Sequence, residues 1–168
     1  MQKANPPRRE WRSVVSGGIA LLVVILDQLS KWWIRSNLAV GQTLFDVGFL
    51  RVIHIYNTGA AFGILKDKTL LLAIIAFVGV VVLLVLGFIW RHRWPFLNSW
   101  LVMSAIGMVL GGTMGNLIDR LAHSGRVVDF IDFKVWPAFN VADMAIDIGV
   151  LLIVYRLIRM AGRSEAQE

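Results

Sequence analysis

Four long runs of apolar positions, separated by stretches where polar residues gather, set the first expectation. They cover about 13–34, 69–90, 96–118 and 139–159. A helix crossing a bilayer needs about 20 mostly apolar residues, and each run comes close to that length or exceeds it. The second and third carry no charge; the first is interrupted late by Asp27 and Lys31, and the fourth contains Asp143 and Asp147. Backbone polar groups in lipid must be paired within their own segment, which makes all four runs helices. The expected fold is therefore an all-α polytopic membrane protein with four transmembrane helices, forming a single membrane domain over 1–168. Between the helices lie extracytoplasmic loops at about 35–68 and 119–138. Each holds a run rich in β-formers, 45–56 and 126–135, and two such runs on one membrane face can pair into a small extracytoplasmic β-sheet over the helix ends.

Composition agrees with this class. The chain has 168 residues, 57% of them hydrophobic, and a mean hydropathy of +0.68. The absence of cysteine excludes disulfides, thiolate metal sites and thiol nucleophiles. A net charge of +6 would suit nucleic acid if the cations formed one patch on a soluble surface. Instead they gather at Lys3, Arg8, Arg9 and Arg12, at Arg91 and Arg93, and at Arg156, Arg159 and Arg163. The positive-inside rule then places both termini in the cytoplasm and both long loops outside, with no role for nucleic acid. The first run begins like a signal peptide, yet Asp27 to Trp33 follows where a small-residue cleavage pattern would stand, so it reads as a retained helix. Residues 164–168 read as a disordered tail.

Asp129 and Asp143 change the picture from membrane scaffold to membrane enzyme. Both fall at the edge of an apolar run, where ionisable groups are costly and mark a proton, ion or substrate site. Two carboxyls brought together can hold one proton between them near neutral pH. Asp143 and Asp147 share a helical face and form a rival dyad, although a buried Asp147, protonated and bonded to a neighbouring helix, is the favoured reading of that residue. Gly112, Asn116 and Arg120 fall at i,i+4 spacing and line up on one face; Arg120 alone would be an ordinary snorkelling arginine, while Asn116 needs partners inside the span. The glycines of 111–115 let another helix approach closely. Asp27 and Lys31 form an i,i+4 pair, read as a structural ion pair or as part of an active-site mouth. Asp119 reads as charge-paired or solvated at the interface. His54, His92 and His123 lack metal-ligand spacing, so no metal and no cofactor is expected. Trp32, Trp33, Trp90, Trp94 and Trp136 mark the membrane boundaries. The rival classes are a proton-coupled transporter, with Asp143, Asp147 and Asp27 as a relay, and a non-catalytic scaffold.

These residues carry a resemblance. Asp27-Gln28-Leu29-Ser30-Lys31, Asn57-Thr58-Gly59-Ala60-Ala61-Phe62-Gly63, Gly111-Gly112 through Gly115-Asn116-Leu117-Ile118-Asp119-Arg120, Val128-Asp129-Phe130 and Phe139-Asn140-Val141-Ala142-Asp143 stand in order between about 20 and 150. The chain resembles the bacterial lipoprotein signal peptidases (signal peptidase II). The resemblance implies an aspartic endopeptidase of the bacterial inner membrane. It cleaves prolipoproteins just before a cysteine that already carries diacylglycerol. Asp129 and Asp143 correspond to the family's catalytic pair. Asn57, Asn116, Arg120 and Asn140 correspond to its polar active-site residues, with Asp27 and Lys31 near the mouth; Asp147 matches no family motif. Lipid-modified prolipoproteins and membrane lipid are the implied partners, and globomycin-type cyclic peptides the implied inhibitors.

Overall fold

The computed structural model describes residues 7–59, 65 and 67–165. Helix α1 (Pro7–Asn37) starts on a proline, whose missing N–H costs nothing at a helix N-terminus. Strands β1 (Thr43–Asp46) and β2 (Arg51–Asn57) form a hairpin. Its tight turn needs Gly48 at φ +86°, with the Gly48 N–H donating to the Asp46 carboxylate at 3.0 Å. Helix α2 (Thr69–Leu84) loosens into a π turn at Val85–Ile89 and then two 3₁₀ turns, Trp90–Arg93 and Pro95–Asn98. Helix α3 (Trp100–Ala122), strand β3 (Val127–Asp132) and helix α4 (Val141–Glu165) complete the chain.

Among the described residues, three stretches are long and apolar enough to cross a membrane: Trp11–Asn37, Thr69–Ile89 and Trp100–Ala122. The fold is thus mostly helical, with three candidate spans and one small sheet. The two β-rich runs do pair, as an antiparallel β2–β3 ladder, and β1 adds a third strand at the far edge of β2.

Several boundaries move from those read in the sequence. The third helix starts at Trp100 rather than 96, because Pro95 opens a separate 3₁₀ turn and Ser99 is extended. It also runs on past Arg120 until Ser124 and Gly125 adopt positive φ. The fourth helix reaches Glu165, so Ser164 and Glu165 are helical rather than part of a tail; residues 166–168 lie outside the described residues. The Ala60–Gly63 part of the Asn57–Gly63 motif also lies outside them.

Helix α3 is the hub, packed on α1, α2 and α4. Its glycines explain the close approach. A side chain at Gly107 or Gly111 would strike the Ser16 or Ala20 carbonyl of α1, and one at Gly112 the Ala142 carbonyl of α4. A Cβ on Gly115 would sit 2.5 Å from the Asp27 carboxylate, so Gly115 makes room for a buried charge. Gly112→Ala is expected to lower stability by about 1–3 kcal/mol, because backbone stands in the way and α4 must shift. Thermal unfolding in detergent measures it; an unchanged melting temperature would refute the contact. At the sheet end, Ile34 and Leu38 of α1 pack with Val128 and Phe130 of β3, and Val52, Tyr56 and Val141 close this small core. That core fixes β3 over the ends of the helices.

Candidate active site

Strand β3 carries Asp129, and its Val-Val-Asp-Phe-Ile-Asp run is buried almost throughout. The Val128 N–H donates to the Asp119 carboxylate of α3 at 3.0 Å, which anchors the strand one residue before Asp129. β3 then turns through Lys134, whose N–H donates to Asp132 at 2.6 Å, and Phe139 returns to bridge Ile131. This short reversal delivers α4 beside the strand it has just left. Asp143 thereby comes to the same site as Asp129.

Two asparagines knit the carboxyls together. Asn140 donates from Nδ2 to Asp129 at 2.7 Å. Its Oδ1 accepts from the Asp143 N–H at 3.0 Å, while its own backbone N–H donates to the Asp143 carboxylate at 3.2 Å. This reciprocal pattern is a capping box that opens α4, built from Asn140 and Asp143. The Asn-x-x-Asp spacing is the sequence signal that marks such a helix start. Asn116 of α3 donates to Asp143 at 2.7 Å and accepts from Asn140 at 3.2 Å. Asn57, at the end of β2, donates to the other Asp129 oxygen at 2.9 Å. Arg120 reaches the Gly59 carbonyl with Nη2 at 3.2 Å and so pins the turn after Asn57. It makes no hydrogen bond to either carboxylate among the described residues.

Asp129 lies outside the membrane-spanning segments and is almost fully buried. Burial first, and then the neighbouring charge of Asp143, push its carboxyl up to about 7; hydrogen bonds from Asn57 and Asn140 and the charge of Lys31 only partly oppose this.

Asp27 and Lys31 do not stand at a mouth. Both are 0% exposed, and Lys31 is tied to the carboxyl pair through Asn116. The Lys31 ammonium has three acceptors: Asp27 at 2.9 Å, Asn116 at 2.9 Å and Asp119 at 3.2 Å. Its three protons are thus all used. Asp27 also accepts the Ala142 N–H at 3.0 Å, one of the donors left free at the start of α4. Asp119 is charge-paired as expected, but with Lys31 and with Arg35 at 3.5 Å, and it is buried rather than solvated. Its burial was not visible in the sequence, since Lys31, Arg35 and Val128 lie on other elements. Asp147, by contrast, is not buried: it is exposed on the wall of a cavity.

That cavity, of about 670 Å³, lies between α2, α3, α4 and the turn after β3. Asn57, Asn116, Arg120, Asp129 and Asp143 line its polar end; Leu72, Ile75, Ala76 and Ile146 line an apolar one. Such a space can take an amphipathic substrate and hold a reacting group against two carboxyls. No cluster of His, Asp or Glu suited to a metal occurs among the described residues.

Comparison with known proteins follows this geometry. The family described as signal peptidase (SPase) II matches residues 19–159. The lipoprotein signal peptidase of Moorella thermoacetica is 43% identical over 145 residues, 86% of this chain and 93% of that protein. That of Dehalococcoides mccartyi is 40% identical over 131 residues, 78% of this chain and 81% of its own length. A bacterial membrane enzyme solved by the in meso method at 2.3 Å resolution superposes with a TM-score of 0.78 at 33% identity. The superposition covers 88% of this chain and 90% of that one.

Proposed function

The chain belongs to the signal peptidase II family, and from that premise we propose that it is an aspartic endopeptidase cleaving signal peptides from prolipoproteins. Cleavage falls just before a diacylglyceryl-modified cysteine. Asp129 and Asp143 are the catalytic pair; Asn57, Asn116 and Asn140 hold the pair by hydrogen bonds, and Arg120 lines the cavity that would take the substrate. The observation that carries this reading is the arrangement of Asn140, which hydrogen-bonds both carboxyls at the polar end of one cavity.

The chemistry needs nothing beyond the pair and a water. The ionised carboxylate takes a proton from the water as its oxygen bonds to the scissile carbonyl carbon. The protonated carboxyl donates to the carbonyl oxygen. Collapse of the tetrahedral intermediate breaks the C–N bond, and the amine of the lipidated cysteine leaves with a proton from the pair. The pair titrates as a unit. With Asp129 pushed up to about 7, the shared proton is present below neutrality and lost above it. Above pH 7 kcat/KM is therefore expected to fall about tenfold per pH unit; a rate flat to pH 9 would contradict the shared proton.

The chain acts as one membrane domain with α4 as a fourth span. α4 has 25 residues, and Met144, Ile148, Leu151, Val154 and Ile158 present exposed apolar side chains suited to lipid. Four spans and the cation distribution put both termini in the cytoplasm and the site near the outer face of the bacterial membrane. Substrate acyl chains and lipid then meet the apolar end of the cavity, where burial stabilises by about 25 cal/mol per Å². Globomycin-type peptides would compete for the same space. The test is cleavage of a diacylglyceryl-modified prolipoprotein by the purified protein in detergent, with the new N-terminus read by mass spectrometry. A product beginning with the lipidated cysteine is expected; an intact substrate overturns the proposal.

A further inference from the structure

At the end of the helix packing away from the carboxyl pair, cations stand without anions. Among the described residues, seven buried side-chain nitrogen or oxygen atoms find no hydrogen-bond partner, and four of them lie there: Arg12 Nε, Ser13 Oγ, Ser16 Oγ and Arg156 Nε. Helix packing sets them at one level. Ser16 of α1 lies against Gly107 of α3, and Arg12 is one turn further out on the same face. Its guanidinium stands 5.7 Å from the ring of Trp100, the first residue of α3. On α4, Ala142 meets Gly112 and Gly149 meets Ala105 and Val109, so α4 runs antiparallel to α3. Arg156, seven residues beyond Gly149, shares its face, and those two turns carry it to the start of α3. Residues 11–26, 100–118 and 148–163 contain no acid. Neither arginine makes an ion pair among the described residues. Ser99, the N-cap of α3, makes no side-chain capping bond, so the positive end of that helix is uncompensated as well. A half-buried cation with an orphaned N–H is costly unless an anion comes from outside the chain.

We propose that this end of the α1–α3–α4 packing binds the phosphodiester of an anionic bilayer lipid between Arg12 and Arg156. The inference does not rest on the peptidase reading. Both guanidiniums are only half-buried, so each keeps an open edge beside its buried Nε. A guanidinium fork matches phosphate oxygens in shape and charge, and it stays protonated at any working pH. Two forks against one phosphodiester leave a surplus positive charge. That surplus disfavours a zwitterionic headgroup, which brings a cation of its own. The neighbouring surface favours a lipid over a free phosphate. From the arginines toward the middle of the helices, α1 and α4 present exposed apolar side chains, Leu21, Leu22, Leu151 and Val154, along which acyl chains can lie. Trp11 and Trp100, both exposed, stand beside the arginines, where aromatic anchors sit at headgroup depth.

The experiment gives the full chain, in dodecyl maltoside, equal amounts of phosphatidylglycerol and phosphatidylcholine with the same acyl chains. Native mass spectrometry counts the lipid that stays bound. Wild type is expected to retain phosphatidylglycerol over phosphatidylcholine by roughly 30-fold, the scale of two arginines near an anionic headgroup. Arg12→Gln/Arg156→Gln should bring that ratio near one. Arg93→Gln/Arg159→Gln removes the same charge from exposed positions and should keep it. Each single variant, Arg12→Gln or Arg156→Gln, should lose part of the preference, so the test stands even if the double variant does not fold. An equal concentration of inorganic phosphate should leave the bound lipid in place. A ratio near one in wild type overturns the inference, and so does an equal loss in the Arg93/Arg159 control, which would reduce the effect to net charge. Displacement by inorganic phosphate would make the site one for a free anion and overturn the lipid assignment.

Discussion

Asp129→Asn and Asp143→Asn are each expected to lower prolipoprotein cleavage by at least about 10³-fold, since each removes one half of a two-carboxyl proton exchange. Asparagine keeps an acceptor oxygen, so the bonds from Asn57 and Asn140 to position 129 and from Asn116 to position 143 can survive. The loss would therefore be chemical rather than structural. Stability gives an independent check at Asp129. Its carboxyl is held at about 7 in the folded protein against an ordinary value of 3.8. A raised folded value means the contribution of the neutral group is fully present below 3.8 and is lost as pH rises through 7. Asp129→Asn should thus unfold at a higher temperature than wild type at pH 8, and the gain should shrink toward pH 5. Its upper bound is on the order of 4 kcal/mol. Asp46→Asn, at an exposed carboxylate bonded to Lys134, is the control expected to leave cleavage unchanged. Normal cleavage by Asp129→Asn would remove the dyad and return the proton-transporter alternative, for which proton flux through reconstituted vesicles is the assay.

The parts of this architecture that are local in sequence were legible there. Apolar run length announced the helices, and β-former alternation announced β2 and β3. Glycine spacing announced the close contact of α3 with its neighbours, because a missing Cβ has one direct packing consequence. What could not be read was set by contacts between elements. Asp27 and Lys31 declared themselves a pair, but their burial depends on Asp119 and Asn116 from α3, and on the room left by Gly115. Asp119 looked like an interfacial acid because its neighbour is Arg120; in the fold it faces Lys31 and Arg35 of α1 and holds β3 through Val128. Asp147 looked buried because it sits deep in an apolar run, yet α4 turns it toward a cavity. Periodicity gives the face a residue occupies, and only the packed neighbours decide whether that face is closed.

Lys31→Met is the second substitution expected to have a large effect, and it acts on the fold that supports the site. Lys31 is fully buried between Asp27 and Asp119. Removing it leaves carboxylates without their principal cation in a region from which water is excluded, although Arg35 still reaches Asp119 at 3.5 Å. Breaking a buried pair from one side costs about 3–5 kcal/mol, because the remaining charge is uncompensated. The double variant Asp27→Asn/Lys31→Met should recover part of that loss, since the stranded charge goes with it; melting temperatures of both variants in detergent decide this. Equal melting of wild type and Lys31→Met would mean that the cluster is wetter and weaker than its burial implies. The effect also reaches the site. Lys31 and Asn140 both donate to Asn116 Oδ1, at 2.9 and 3.2 Å, and this turns the Asn116 Nδ2 toward Asp143. Without the ammonium, one of the two donors that orient this amide is gone, and Asp143 is held less firmly. Residual folded Lys31→Met is accordingly expected to cleave more slowly than its folded fraction alone would give. A rate that simply tracks the folded fraction would confine Lys31 to stability.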